Sequence, residues 1–352
     1  MKTARLERLL DAALVEVFPA FQCVVSHRGE IVLARAGGKT CVGAGRVDET
    51  SIFDLASLTK PLVTVALCMH FRDSGALDLD RPASEILGQP VAGGPGVTPR
   101  RLLSHASGLP AWRPLHLEIA RPDTDVRRRA ILAAARDTAL TSEIGSTAVY
   151  SDLNFLLLTA ILEHVGGARL DRLFARIVPA RGLGYRPIVA APVEPGASFV
   201  ATEDDPARGV LAGVVNDENA FAMGGVSGHA GLFGTATGVH SLVESLVAAW
   251  AGRTSWIPGE IVREFWTKQN APRGSTWALG WDTPSKTGSS AGTTPPATAF
   301  GHTGFTGGSI WVDPVHETIA VLLTNRTWPD RTNDAIRKFR PRFHDAVWSV
   351  LR

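Results

Sequence analysis

Apolar residues fall at 6, 9, 10, 13, 14 and 17 and are broken by Arg5, Arg8, Asp11 and Glu16, so the chain opens on an amphipathic helix over 1–18. Apolar-rich runs at 21–26 and 31–35, separated by His27-Arg28-Gly29-Glu30, read as two strands joined by a turn. Leu62, Val63, Val65, Ala66, Leu67 and Met69 then mark a helix that runs to about Ser74 and stops at Gly75. Thr98 and Pro99 supply the N-cap and first position of a short helix, and 125–135 and 154–165 predict two more. Strands return at 277–281, 309–312 and 318–324, followed by a terminal helix from about Thr332. Strands at both ends with helices between predict an α/β (α+β) fold, one antiparallel sheet built from the two termini, flanked by helices and interrupted by a mostly helical region. We expect 1–59 and 166–352 to form the sheet domain and 60–165 the helical one; no internal repeat is seen.

Composition narrows the picture only a little. At 352 residues, 45% hydrophobic and 20% charged, the chain is globular, with room for one large or two modest domains. A net charge of +2 implies no nucleic acid or other polyanionic partner, and thirty of the 36 basic residues are arginine. Cys23 lies in a strand pattern and Cys68 in an apolar helix, so with Cys41 they make an odd set, expected to be buried free thiols suited to a reducing compartment. The first helix lacks a secretory apolar core and no stretch approaches an uncharged membrane span. A cytoplasmic protein without a membrane partner is the expectation.

The chemistry concentrates in three short motifs. Ser57 and Lys60 are three residues apart at the start of the apolar helix, a spacing that stacks hydroxyl and amine on one face. Lys60 is the only lysine, arginine or acidic residue between Asp54 and Arg72, and burying an ammonium costs several kcal/mol, on the order of a whole domain's margin, unless it is paired or neutralised. The plain alternative is a lysine whose head reaches solvent from the first turn of a surface helix. Tyr150, one of only two tyrosines, opens Tyr150-Ser151-Asp152 just before the helix at 154–165, and a nearby lysine would suit such a phenol to proton transfer. His302-Thr303-Gly304 leads through Phe305 and two glycines into the strand at 309–312, where glycine permits close approach of a ligand.

In this order the motifs resemble the serine β-lactamase and penicillin-binding-protein superfamily, most closely its class C-like branch with family VIII carboxylesterases and D-aminopeptidases. The resemblance runs from about 21 to 325 and includes 101–110 (RLLSHASGLP) and 224–233 (GGVSGHAGLF). It implies an active site at the junction of the two domains, an acylated Ser57, Lys60 and Tyr150 as proton carriers, and a pocket strand at His302, Thr303 and Gly304. It also implies an oxyanion hole from the N–H groups of Ser57 and Phe305, each such donor worth about 3 kcal/mol. The expected partner is a small-molecule acyl substrate, with no metal and no cofactor. Lys286-Thr287-Gly288 matches the family's lysine form of the strand motif, but it lies in a Ser-, Gly-, Thr- and Pro-rich run at 283–298 that reads as a loop.

Two positions depart from the pattern. Asp152 stands where many relatives carry asparagine; an ionised carboxylate only accepts hydrogen bonds and raises the pKa of a neighbouring lysine. It could instead simply cap the helix that follows. His302 replaces a fixed lysine charge with a mostly neutral ring, which points toward esters or uncharged acyl donors. His105 and His229 are expected to be structural. The chain lacks a GxSxG elbow, an HExxH pair and paired CxxC motifs. The reading is a serine hydrolase, esterase- or peptidase-like, acting through acyl-Ser57. The alternatives are a β-lactamase or D-alanyl-D-alanine carboxypeptidase and, from another class, a non-catalytic member that binds acyl ligands or assembles with partners.

Overall fold

The computed structural model describes residues 3–43, 45–187, 198–253 and 255–351. The elements used below are helices α1 (Ala4–Glu16), α2 (Ala66–Asp73), α3 (Thr124–Arg136), α4 (Asp152–Gly166), α5 (Ala236–Trp250) and α6 (Ile336–Leu351). The strands are β1 (Ala20–His27), β2 (Glu30–Gly38), β3 (Phe53–Asp54), β4 (Leu183–Tyr185), β5 (Leu232–Gly234), β6 (Phe300–Thr303), β7 (Ser309–Asp313) and β8 (Thr318–Thr324). Residues 1–2 of the first predicted helix lie outside the described residues.

One antiparallel sheet of order β2-β1-β8-β7-β6 joins the two ends of the chain, with Phe21 opposite Thr324 and His27 opposite Thr318. Period-two alternation explains why both faces are covered. Phe21, Cys23 and Val25 of β1, with Ala320 and Leu322 of β8, face α1 and α6, while Val24, Ile319, Val321 and Leu323 join the main core beneath α5. Gln22 and Ser26 tie α5 down through Ala236 N–H at 2.8 Å and His240 at 2.7 Å. The segment 60–165 contains helices and no strand, but its apolar residues share one continuous core with the sheet. The two regions are therefore separate in topology and joined in packing.

Three expectations need correction. The apolar run 277–281 is no strand: Gly280 takes φ +74°, Ala278 N–H bonds back to the Trp281 carbonyl at 2.8 Å, and only isolated bridges join Trp277 to Asp282 and Asp282 to Gly301. The terminal helix starts at Ile336, after Asp330 and Asn333 accept N–H groups of Thr332 and Ala335 in turns. Cys23 and Cys68 are buried thiols, but Cys41 is only half-buried. No single helix among the described residues is long and apolar enough to cross a membrane, although α4 and Leu170–Ile177, bent at 65°, reach that composition together.

Candidate active site

Ser57 sits where β3 of a small β3-β5-β4 sheet breaks into a helix. Buried Asp54 forces the break: its Oδ1 accepts Ala56 N–H at 2.8 Å and its Oδ2 accepts Asn216 N–H at 2.7 Å. Burial pushes the Asp54 carboxyl up to about 6, against the pull of those two donors. Ala56 is left at φ +46°, a left-handed conformation that costs an L-residue roughly 1–3 kcal/mol and is held here by the surrounding bonds. The expected continuous helix is replaced by a 3₁₀ turn (Ala56–Leu58), a π-helical turn (Lys60–Val65) and then α2. A 3₁₀ turn eclipses residues i and i+3, and a π turn interrupts a regular helix, so this segment brings Lys60 to Ser57 by a tighter geometry than an α-helix provides.

Lys60 is fully buried and does not reach solvent. Its Nζ donates to Ser57 Oγ at 2.9 Å and to the His229 carbonyl at 3.2 Å, and pairs with Asp152 Oδ1 at 2.8 Å. Burial lowers its pKa, but Asp152 and Tyr150 outweigh burial and leave it raised, so Lys60 is an ammonium at neutral pH. Tyr150 keeps 36% of its surface at the cavity wall while its hydroxyl interacts with Lys60 and Ser57. Burial raises the phenol, Lys60 opposes it, and the net shift is upward, so Tyr150 is protonated at rest. The helix cap of α4 is Ser151, whose Oγ accepts Asn154 N–H, which leaves the Asp152 carboxylate free to face Lys60.

The segment 101–110 holds this tyrosine loop. His105 accepts Ser151 N–H at 3.1 Å on Nδ1 and Val149 N–H at 2.9 Å on its carbonyl, and its ring lies 4.9 Å from that of Tyr150. The segment 224–233 holds Lys60. A Cβ on Gly228 would lie 2.6–2.8 Å from Thr159 Oγ1, Thr64 Oγ1 and the Phe155 carbonyl, so glycine lets the loop thread between two helices and aim the His229 carbonyl at Nζ. The His229 ring is braced by Ser227 Oγ and Asp217 Oδ1, both at 2.8 Å.

Facing Ser57 is the end of β6. His302 is 3% exposed; its Nδ1 donates to the Thr303 carbonyl at 2.9 Å, and burial with Lys60 nearby lowers the ring to about 3. His302 is therefore neutral, with its ring 6.0 Å from those of both Tyr150 and Trp277. A Cβ on Gly304 would lie 2.9 Å from the Leu55 carbonyl, so glycine permits the strand end to close on the Ser57 turn, and Thr306 Oγ1 bonds the Asp54 carbonyl at 2.9 Å. Ser57, Tyr150, Asp152, His302, Thr303, Gly304 and Phe305 all line one cavity of about 720 Å³. Lys286 does not line it, although Ser290 from the same loop does.

Among the lining residues that escaped the sequence reading are four arginines: Arg326, Arg331, Arg337 and Arg340. Arg331 is neutralised by Glu203 at 2.6 Å and Glu218 at 3.0 Å. Arg326 instead bonds the carbonyls of Phe305, Arg331 and Asn333, and Arg340 bonds those of Gly304, Gly307 and Gly308. Burial and repulsion from neighbouring guanidiniums lower both, Arg340 to about 9, and no carboxylate among the described residues hydrogen-bonds either one. All four follow residue 325, where the recognised resemblance ended, and thirty arginines in the chain hid their clustering. Their spacing was the available signal, since Arg337 and Arg340 are three apart on α6.

A model of the family described as Beta-lactamase matches residues 6–340. The chain belongs to the Beta-lactamase family. Within the family's range, it is 27% identical over 92% of its length to a Salmonella typhi protein described as "Putative D-alanyl-D-alanine carboxypeptidase", covering 83% of that protein. Among solved structures it is similar to EstCE1, described as a hydrolase with promiscuous acyltransferase activity (TM-score 0.72, 22% identity, 99% of this chain and 98% of that one). An octameric penicillin-binding protein homologue from Pyrococcus abyssi gives TM-score 0.76 at 17% identity, covering 99% of this chain and 78% of that one. A family VIII carboxylesterase gives 0.73 at 17%, covering 99% and 98%. These structural likenesses carry the fold; the chemistry has to come from the site.

Proposed function

We propose that this protein is a serine acyl hydrolase that opens an ester or amide through an acyl-Ser57 intermediate and releases the acid by hydrolysis. The observation that carries the reading is the 2.9 Å contact of buried Lys60 Nζ with Ser57 Oγ on the wall of an accessible cavity. Ser57 attacks the carbonyl while its proton passes toward Lys60, Tyr150 protonates the leaving group, and water later repeats the sequence on the ester. The backbone around Ser57 and Phe305 would receive the oxyanion, in a turn already fixed by Thr306 and Arg340. Incubation with a fluorophosphonate, read by intact mass and peptide mapping, tests it: a single adduct on Ser57 is expected. An unlabelled, inactive protein would favour a non-catalytic, ligand-binding member.

On the side of substrate, the neutral His302 supports uncharged acyl esters, whereas Arg326 and Arg337 support a carboxylate-bearing one, as a carboxypeptidase would need. A guanidinium without a protein carboxylate is a ready partner for a substrate carboxylate. We take the arginine wall as the stronger influence, because a guanidinium offers an anion both charge and paired donors, whereas the His302 ring is neutral. The free thiols Cys23 and Cys68 support a reducing, cytoplasmic setting, which cell fractionation would test.

A further inference from the structure

The serine-hydrolase reading leaves one problem open, namely where the Ser57 proton goes. Lys60 is enclosed by a carbonyl at 3.2 Å, a carboxylate at 2.8 Å and the Ser57 hydroxyl at 2.9 Å. The first two can only accept, so they commit two N–H groups and leave the third for Ser57, which describes an ammonium with no lone pair to offer. Tyr150 is a phenol and cannot take a proton either. His105 Nδ1 is engaged by Ser151 N–H and the Asn154 amide. His302 gives its Nδ1 hydrogen to Thr303, its Nε2 is enclosed, and burial disfavours its cation. Asp217 is paired with His229.

Resting on that reading, we propose that Asp152 is the proton acceptor of the acylation step, acting through Lys60. As Ser57 Oγ bonds the acyl carbon, its proton moves to Nζ while one Lys60 N–H proton moves to Asp152 Oδ1, and the carbonyl π electrons go to the oxyanion. Lys60 keeps its single positive charge and Asp152 becomes neutral. When the intermediate collapses, Tyr150 protonates the leaving group and regains a proton from Lys60, which recovers the one stored on Asp152. Water enters deacylation by the same exchange in reverse, so protons balance without another reactant. The geometry suits this, because Asp152 Oδ1 is enclosed 2.8 Å from Lys60 Nζ as its ion-pair partner and, among the described residues, no hydrogen bond occupies it, so its lone pair is free to take the proton. An asparagine at this position could hold Lys60 but could not take its proton. Asp152 is thus the chain's own substitute for a deprotonated lysine.

The test is the pH dependence of kcat for Asp152→Asn, with Asp152→Ser as a second neutral variant compatible with the start of α4. The titratable groups facing Asp152 are the charged Lys60 and the neutral Tyr150, with His105, His302 and Asp217 interacting with Lys60 from the surrounding loops. With no carboxylate, activity requires a neutral Lys60. Loss of Asp152 also removes the charge that raises Lys60, so we expect kcat at pH 7 to fall by up to about two to four orders of magnitude with KM little changed, and to climb as rising pH takes the proton from Lys60. Asp152→Glu should restore part of kcat and the wild-type acid limb, which a merely structural defect would not do. Neutral variants that keep the wild-type kcat and profile overturn the proton route while Ser57 labelling of wild type still stands. A wild type that neither labels nor turns over sinks the hydrolase reading itself.

Discussion

The two ends of the cavity handle charge in opposite ways. At the Ser57 end, Lys60 and Asp152 neutralise each other at 2.8 Å and Tyr150 and His302 are uncharged, so the reacting groups sit in a closed ledger of protons. At the far end, Arg326 and Arg340 bond only carbonyls while Arg337 is exposed, so positive charge is left facing the cavity. Under the proposed mechanism the first arrangement would move protons without a lasting change in net charge. The second would attract an anion and position it. Catalysis and substrate choice are therefore separable at every position except Arg340, which bonds the turn beside Ser57, and other variants at one end should leave the other's signature intact.

The largest effect is expected at the first end. Ser57→Ala should abolish turnover and fluorophosphonate labelling with the fold retained, and Lys60→Ala should lose most activity. Lys286→Ala, in the loop that copies the motif, should be close to wild type. A damaging Lys286 variant beside a mild Lys60 one would reverse the assignment of the pocket strand.

Next in size is Tyr150→Phe, which should lower kcat by about two to four orders of magnitude with KM nearly unchanged. Tyr185→Phe is the comparison: its hydroxyl only donates to the Ser227 carbonyl at 2.7 Å, behind the segment that carries His229. Equal losses in kcat from both would point to packing in place of proton transfer.

The reacting end was legible because its information is local. Ser57 and Lys60 are one turn apart, Tyr150 and Asp152 share three residues, and His302 to Phe305 form one strand end, so each pattern survives without knowledge of the fold. The third contact of Lys60 was hidden, because a carbonyl from residue 229 carries no side-chain signature. Trp277 was misplaced because an apolar run looks alike in a strand and in a turn closed by Gly280. The arginine wall is assembled from a loop after β8 and one face of α6, so its cations converge only in three dimensions.

That wall gives the sharper test of the comparison. Arg326→Gln and Arg337→Gln should each lower kcat/KM for a carboxylate-bearing lactam or D-amino-acid peptide by about ten- to a hundredfold, the range for losing a charge-assisted bond. The same variants should leave a neutral p-nitrophenyl ester nearly untouched. Loss on both substrates alike would mean that the arginines hold the Phe305 turn and do not choose substrate. Arg340→Gln is expected to show that pattern, because its guanidinium bonds three carbonyls of the turn.

The smallest effect concerns stability in acid, and its sign follows from three buried groups. His302 and His344 are lowered to about 3 by burial, so the unfolded chain binds their protons first as pH falls below 6.5, and stability present above 6.5 is lost toward 3. Asp54 is raised to about 6, so the folded chain binds its proton first and stability is regained between about 6 and 3.8. Each group changes stability by at most about 1.4 kcal/mol per pH unit, so these two losses against one gain leave a net loss of about 1.4 kcal/mol per pH unit, or about 3 kcal/mol between pH 6 and 4, and the lowered rings of His105 and His240 add to it. Denaturant melts across that range should show falling stability in wild type, and His344→Gln should flatten the fall because it removes one of the losses. His344 belongs to α6, behind the arginine wall, and bonds Ser309 at 3.0 Å. A flattened melt together with an unchanged pH profile of kcat would place this titration in the scaffold and leave the proton traffic to Ser57, Lys60, Tyr150 and Asp152. A shifted kcat profile in that variant would show that the two ends are coupled after all.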